Sequence, residues 1–171
     1  ESTRAKVPFG IAQIGKAFRN EISPRDFIFR VRELEQMELQ FFIDPKTRDE
    51  EYESWRRLNW QFFTEVLGLN PQNLQWHEHN QQERAHYAAA AHDIQYRFSM
   101  GFKELCGTHS RTDFDLKAHM ETSGKDLQYF DQPNNRHFIP NVIETSVGLG
   151  RLFMATLTDA YQEQDLGEGE S

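Results

Sequence analysis

Residues 18–33 read FRNEISPRDFIFRVRE, with four arginines and three carboxylates set among aromatic and β-branched residues. At its centre, Ser23-Pro24-Arg25-Asp26 is a cluster of turn formers. Just downstream, Met37, Leu39, Phe41 and Ile43 alternate with Glu38, Gln40 and Phe42. A period of two marks a strand with one buried face. The stretch therefore predicts two antiparallel strands joined by a loop, with Arg19 entering it and Arg32 leaving it. Strand character is expected across residues 27–43. Residues 7–22 are expected to hold a short turn or helix and then a strand.

Working outward, residues 49–67 predict an amphipathic helix, because Tyr52, Trp55, Leu58, Phe62 and Val66 recur every three or four positions. Thr47 or Asp49 is placed to cap its start and Gly68 its end. The Ala-rich residues 82–92 predict a second helix. Residues 96–98 and 102–108 predict short strands, 114–122 a helical turn and 137–145 a buried strand. Residues 148–161 predict a last helix with Leu152, Ala155, Thr156 and Leu157 turned inward. The expected fold is α+β, a mostly antiparallel sheet flanked by helices, in one domain over residues 1–162. The acidic, Gly-containing residues 163–171 are expected to be a frayed tail.

Composition narrows the function classes. The chain has 171 residues, 37% hydrophobic and 27% charged, which suits a globular core. No run approaches the ~18 apolar residues of a membrane span, and the opening ESTRAKVPFG lacks the apolar stretch of a leader. The single cysteine, Cys106, leaves no internal disulfide and suits a reducing cytoplasm. Net charge is −8, which argues against a non-specific nucleic-acid binder. The distribution is uneven: residues 1–32 carry seven Lys or Arg against three Asp or Glu, and the remainder twelve against twenty-four. Arginines outnumber lysines thirteen to six, which favours forked recognition of anions.

On a strand, residues two apart share a face about 7 Å from one another. Arg19 and Glu21 then point one way, as do Arg30 and Arg32 on the returning strand, with Leu34 beyond. Two readings stand. One is a solvated ladder of ion pairs, common and worth little. The other is a nucleotide platform: arginine supplies a fork for phosphate, Glu21 an acceptor for an exocyclic amine, and an apolar residue a floor for a base.

The motifs themselves carry a resemblance. Phe18-Arg19-Asn20-Glu21, a loop, and Arg30-Val31-Arg32-Glu33-Leu34 are similar to the second signature motif of class II aminoacyl-tRNA synthetases. Glu35-Gln36-Met37-Glu38-Leu39, Trp76-His77-Glu78-His79, residues 110–116 (SRTDFDL) and residues 142–151 (VIETSVGLGR) follow in order. Together they resemble the homodimeric, bacterial-type glycyl-tRNA synthetases along nearly the whole chain.

That resemblance implies ATP-dependent activation of glycine to glycyl-adenylate, then transfer to tRNA(Gly), with Mg²⁺ bridging the ATP phosphates. It implies that Arg19 is the main catalytic group, bridging the α-phosphate and the glycine carboxylate. Glu21 would accept from the adenine amine, Arg30 and Leu34 would complete the ATP floor, and Arg151 would hold the γ-phosphate or cover adenine. Glu38, Glu144 and Ser146 would form the glycine pocket, with Arg111 facing substrate or pairing with Asp113 or Asp115. Glycine offers no side chain to grip, so its selection has to rest on its ammonium group and on bulk that excludes a larger Cα substituent. A cytoplasmic homodimer without membrane contact is the implied setting.

Two positions depart from the pattern: Leu34 stands where such enzymes place Phe under adenine, and Thr145 where they place Pro. The first signature motif and an Arg-Pro-Glu-Thr segment are expected before residue 1, and an anticodon-binding domain after residue 171. The chain is thus expected to be a catalytic-core fragment, weak or inactive alone. The alternative is a non-catalytic synthetase-like binding module. His77-x-His79, with His86 and His92 nearby, offers no third zinc ligand at a suitable spacing. Cys106 reads as a small buried apolar residue. Asp113-Phe114-Asp115 reads as a cation ligand or a helix cap, and Glu144 is the candidate Mg²⁺ ligand.

Overall fold

The period-two run becomes the second strand of a six-stranded, wholly antiparallel sheet. The computed structural model describes residues 5–80, 82–83 and 88–164. In chain order the elements are β1 (Phe9–Phe18), β2 (Glu33–Ile43), α1 (Arg48–Gln61), β3 (Leu74–Glu78), β4 (Ala90–Phe98), β5 (Gly101–Thr112), α2 (Phe114–Ser123), β6 (Tyr129–Asp131), β7 (Arg136–Phe138), β8 (Asn141–Gly148) and α3 (Leu149–Ala160). The sheet runs β1-β2-β8-β5-β4-β3, and β6 and β7 form a separate hairpin. The last strand, β8, thus enters between β2 and β5 and becomes the floor of whatever the open face holds.

Strand alternation divides the sheet into two faces. On one, Met37, Ile94, Cys106 and Val147 pack with Phe63, Leu69 and Ala155. Ile43, Ile143 and Tyr52 extend that layer, with Phe41 edge-on to Trp55. α1 packs against β5 and β8, and α3 against β2 and β8. Each large apolar side chain so buried stabilises the fold by about 1.5–3 kcal/mol. The opposite face carries Gln36, Glu38, Gln40, His109, Arg111, Glu144 and Ser146 and remains concave.

The expected hairpin forms with Ile14 opposite Met37 and Ala17 opposite Leu34. The loop is longer than predicted. Residues 27–32 are not strand, and Asp26 and Phe27 adopt left-handed backbone with φ of 59° and 54°. An isolated bridge, Arg25 to Arg30, closes the loop instead. The 49–67 helix is present as α1 and a wider final turn, Phe62–Val66, and Gly68 ends it at φ 70°.

Several expectations are corrected. Ala90, Ala91 and His92 are not helical but begin β4. Their pairing to Ser110, His109 and Thr108 outweighs the helix propensity of alanine. Residues 84–87 of that expected helix lie outside the described residues. The expected strand at 96–98 is the end of β4, and that at 102–108 is the greater part of β5, which runs on to Thr112. The expected strand over 137–145 is two strands, β7 and β8, separated at Ile139-Pro140, because Pro140 lacks the N–H that a continuous ladder needs. In α3 only Ala155 is fully buried, and Leu157 is 61% exposed.

Candidate active site

The concave face holds a hollow of about 900 Å³. Arg19, Glu21, Arg30, Leu34, Glu38, Arg111, Glu144, Ser146 and Arg151 all line it. They come from the β1–β2 loop, alternate positions of β2, β5 and β8, and the first turn of α3. Sequence separations above a hundred residues are bridged because β8 pairs with β2: Glu38 stands opposite Ser146, and Gln40 opposite Glu144.

At one end the loop supplies cations. Arg30 Nε lies 3.8 Å from Glu21. Arg32 points elsewhere, donating to the Glu21 carbonyl at 2.9 Å. Arg151 lies over Phe29, 4.1 Å from the ring centroid, and is 3.0 Å from Glu104. The α3 start comes close to the loop. A Cβ on Gly150 would stand 3.0 Å from the Ile28 carbonyl oxygen, so the absence of a side chain at 150 permits this approach. Among the described residues, neither the Arg19 guanidinium nor the Glu38 carboxylate forms an ion pair. Two unneutralised charges of opposite sign therefore line one hollow.

In the middle, Glu144 is the best-held carboxylate. Gln40 donates to it at 2.8 Å, the Arg111 guanidinium at 2.9 Å, and the His109 Nδ1 lies at 3.2 Å. Burial alone would raise its pKa, but the hydrogen bonds from His109 and Gln40 and the charge of Arg111 outweigh burial and hold it at about 2. Arg111 also forks onto Asp115 at 2.7 and 3.0 Å, while Asp113 pairs with Lys117. Of the two partners the sequence offered for Arg111, Asp115 is the one used.

The far end carries His109 and Asp93, which the sequence reading missed, and His79, which it weighed only as a zinc ligand. His79 Nε2 is 2.7 Å from buried Asp93. Burial would lower the His79 pKa, but the neighbouring Asp93 carboxylate raises it. Gln40 was legible as a face-mate of Glu38. His109 was hidden because the predicted strand stopped at residue 108; carried to Thr112, the alternation puts His109 beside Arg111.

The set-aside constellations have ordinary partners. His77 faces Glu83 at 3.5 Å, and His92 Nδ1 is 2.8 Å from the Tyr52 hydroxyl. His86 lies outside the described residues. Burial pushes the Cys106 thiol upward, away from nucleophile chemistry. Among the described residues no cluster of three or more His, Cys, Asp or Glu side chains is arranged for a metal ion. Glu144 Oε2 already accepts from Gln40 and Arg111, and Oε1 lies 3.2 Å from His109 Nδ1.

The chain matches the tRNA synthetase class II core domain (G, H, P, S and T) over residues 1–161. It belongs to that class II synthetase core family. Its relatives include the glycine–tRNA ligase of Treponema denticola, 54% identical over 98% of this chain and 37% of the relative. That of Chlorobaculum tepidum is 52% identical over 99% of this chain and 36% of the relative. The chain thus spans little more than a third of the length of these relatives. They bear the same name as the family to which the signature motifs pointed. Among solved structures, Giardia lamblia prolyl-tRNA synthetase in complex with prolyl-adenylate matches with a TM-score of 0.69 at 16% identity, over 87% of this chain and 28% of that one. At that identity the likeness is one of fold, and the class II core architecture accounts for the six-stranded antiparallel sheet seen here.

Proposed function

We propose that this chain is the glycine-activating core of a glycine–tRNA ligase. The observation that carries the reading is the convergence of Arg19, Glu38 and Glu144 on one hollow, with Arg19 and Glu38 unneutralised. A zwitterion joined to a phosphate needs that pairing: a carboxylate for its ammonium and a guanidinium for the phosphate and carboxylate oxygens.

In this reading the glycine carboxylate oxygen attacks the α-phosphorus of ATP. A new O–P bond forms, the bond to the bridging oxygen breaks, and pyrophosphate leaves. No side-chain nucleophile is needed, so positioning and charge stabilisation supply the catalysis. Arg19 neutralises charge gathering on the α-phosphate. Glu21, steadied by Arg30, accepts from the adenine amine, and Leu34 packs under the base. Arg151, stiffened by Phe29 and Glu104, faces the outer phosphates. Mg²⁺ would come bound to the ATP phosphates and would offset their charge.

Glu38 holds the glycine ammonium. Glu144, kept ionised by its three donors, adds negative potential and fixes Arg111. Ser146 sits between them, across the β2–β8 pair. In a second step a terminal ribose hydroxyl of tRNA(Gly) attacks the acyl carbon and AMP departs. The longer protein works in the cytoplasm as a homodimer, and the isolated chain turns over weakly.

Calorimetric titration of the chain with a non-hydrolysable glycyl-adenylate mimic tests the reading. Saturable binding that is at least about tenfold tighter than for the alanyl mimic is expected, since an added methyl must clash. Equal affinity for both mimics, or no binding, would overturn it and favour a synthetase-like module without catalysis.

A further inference from the structure

The two pocket-facing pairs of β5 and β8 are Gly107 opposite Ser146 and His109 opposite Glu144. Between them lies the pair Thr108 and Thr145, whose side chains point through the sheet to the helix face. There they meet Asn59 of α1, only 8% exposed. Its side-chain amide donates to both hydroxyls, to Thr108 Oγ1 at 2.8 Å and to Thr145 Oγ1 at 3.1 Å. One planar NH₂ group thus ties the two strands together at the rung between the two pocket pairs. Two turns earlier on the same helix face, the Tyr52 hydroxyl donates to the Thr108 carbonyl at 3.1 Å. Thr108 is fully buried, so no water competes for its two bonds.

We propose that Asn59 is a positioning residue for the amino-acid pocket, acting through Thr108 and Thr145 to set the spacing of His109, Glu144 and Ser146 on the opposite face. The geometry leaves little slack. Neighbouring residues on a strand are joined by one rigid peptide, so a shift of Thr145 relative to Thr108 moves Glu144 relative to His109. The His109 to Glu144 contact, at 3.2 Å, is already the longest of the three that hold Glu144. Above Gly107 the space is closed too: a Cβ there would meet His109 Cε1 at 3.1 Å. His109 therefore cannot follow a displaced Glu144 without losing its seat. The inference rests on the glycine-activating reading for its consequence, but the coupling across the sheet does not.

Two measurements on this chain separate those parts. The first is ligand-free. Nitrogen-15 NMR of the His109 ring reports its bond to Glu144. Thr145→Val removes one acceptor while keeping shape and strand preference, and Thr145→Ser keeps the hydroxyl. Thr145→Val is expected to shift the His109 Nδ1 signal and Thr145→Ser to leave it near the parent value. An unmoved signal in Thr145→Val overturns the proposal.

The second is affinity. Thr145→Val is expected to weaken the glycyl-adenylate mimic about fivefold while ATP alone stays within about twofold, with Thr145→Ser restoring it. Equal weakening of both ligands, or of neither, overturns the positioning role. A parent chain that binds neither ligand fails the proposed function instead, and the NMR result then decides the coupling by itself. Asn59→Leu is expected to reproduce Thr145→Val; if it does not fold, the two Thr145 variants decide between the outcomes.

Discussion

The Arg111 guanidinium and the Glu144 carboxylate meet at 2.9 Å, both largely shielded from solvent, on adjacent strands of the open face. Arg111 is braced from behind by Asp115, and Glu144 is braced from the sides by Gln40 and His109. A charge held this way is a fixed part of the pocket.

Its acid titration follows. The Glu144 carboxyl is depressed from 4.5 to about 2. A depressed carboxyl contributes stability that is fully present above the unfolded value and is lost as pH falls through the folded one. Here that is about 3 kcal/mol, lost between about pH 4.5 and 2. Urea unfolding at stepped pH is expected to show a shallower acid decline in Glu144→Gln. Parallel curves would contradict the assignment.

Gly150 sets the approach of α3 to the arginine loop. Gly150→Ala gains about 1 kcal/mol of helix propensity but puts a Cβ 3.0 Å from the Ile28 carbonyl oxygen. The two effects oppose each other in stability. They do not cancel in function, because Ile28 adjoins Phe29, on which Arg151 rests. A small change in Tm with a several-fold loss of ATP affinity is expected by thermal melting and calorimetry.

Leu34 lines the hollow, and the proposed function puts the adenine base over it. A ring there adds an aromatic face worth about 0.5–1.5 kcal/mol. Leu34→Phe is expected to tighten ATP by roughly fivefold, read by calorimetry. Unchanged affinity would show that the base lies elsewhere.

Tyr52 is 5% exposed and its hydroxyl joins His92 to the Thr108 carbonyl. Tyr52→Phe removes both hydrogen bonds from the core. A loss of about 1–3 kcal/mol is expected in chemical denaturation, with the m-value unchanged.

The sequence showed some of this plainly and hid the rest for identifiable reasons. Met37 to Ile43 alternate because β2 has one dry face, so both the strand and the placement of Glu38 could be read. The helix over 49–67 could be read because its apolar positions follow the helical period. Ala90 and Ala91 misled because a strand covered on both faces carries no polar alternation, and alanine's local preference then points to helix. Cross-strand partnerships such as Gln40 with Glu144 span 104 residues and depend on β8 entering between β2 and β5, an ordering no local pattern encodes. The signature motifs pointed to the same hollow from a different direction, since each quoted stretch contains a residue that lines it.

The central claim is that Arg19, Glu38 and Glu144 act on one bound molecule. Calorimetry of Arg19→Ala, Glu38→Gln and Glu144→Gln against the glycyl-adenylate mimic and against AMP tests it most directly. Arg19→Ala is expected to lose most of the affinity for the mimic, and both Glu→Gln variants to weaken the mimic by about tenfold or more while sparing AMP. Three variants that bind the mimic as the parent does would contradict the account.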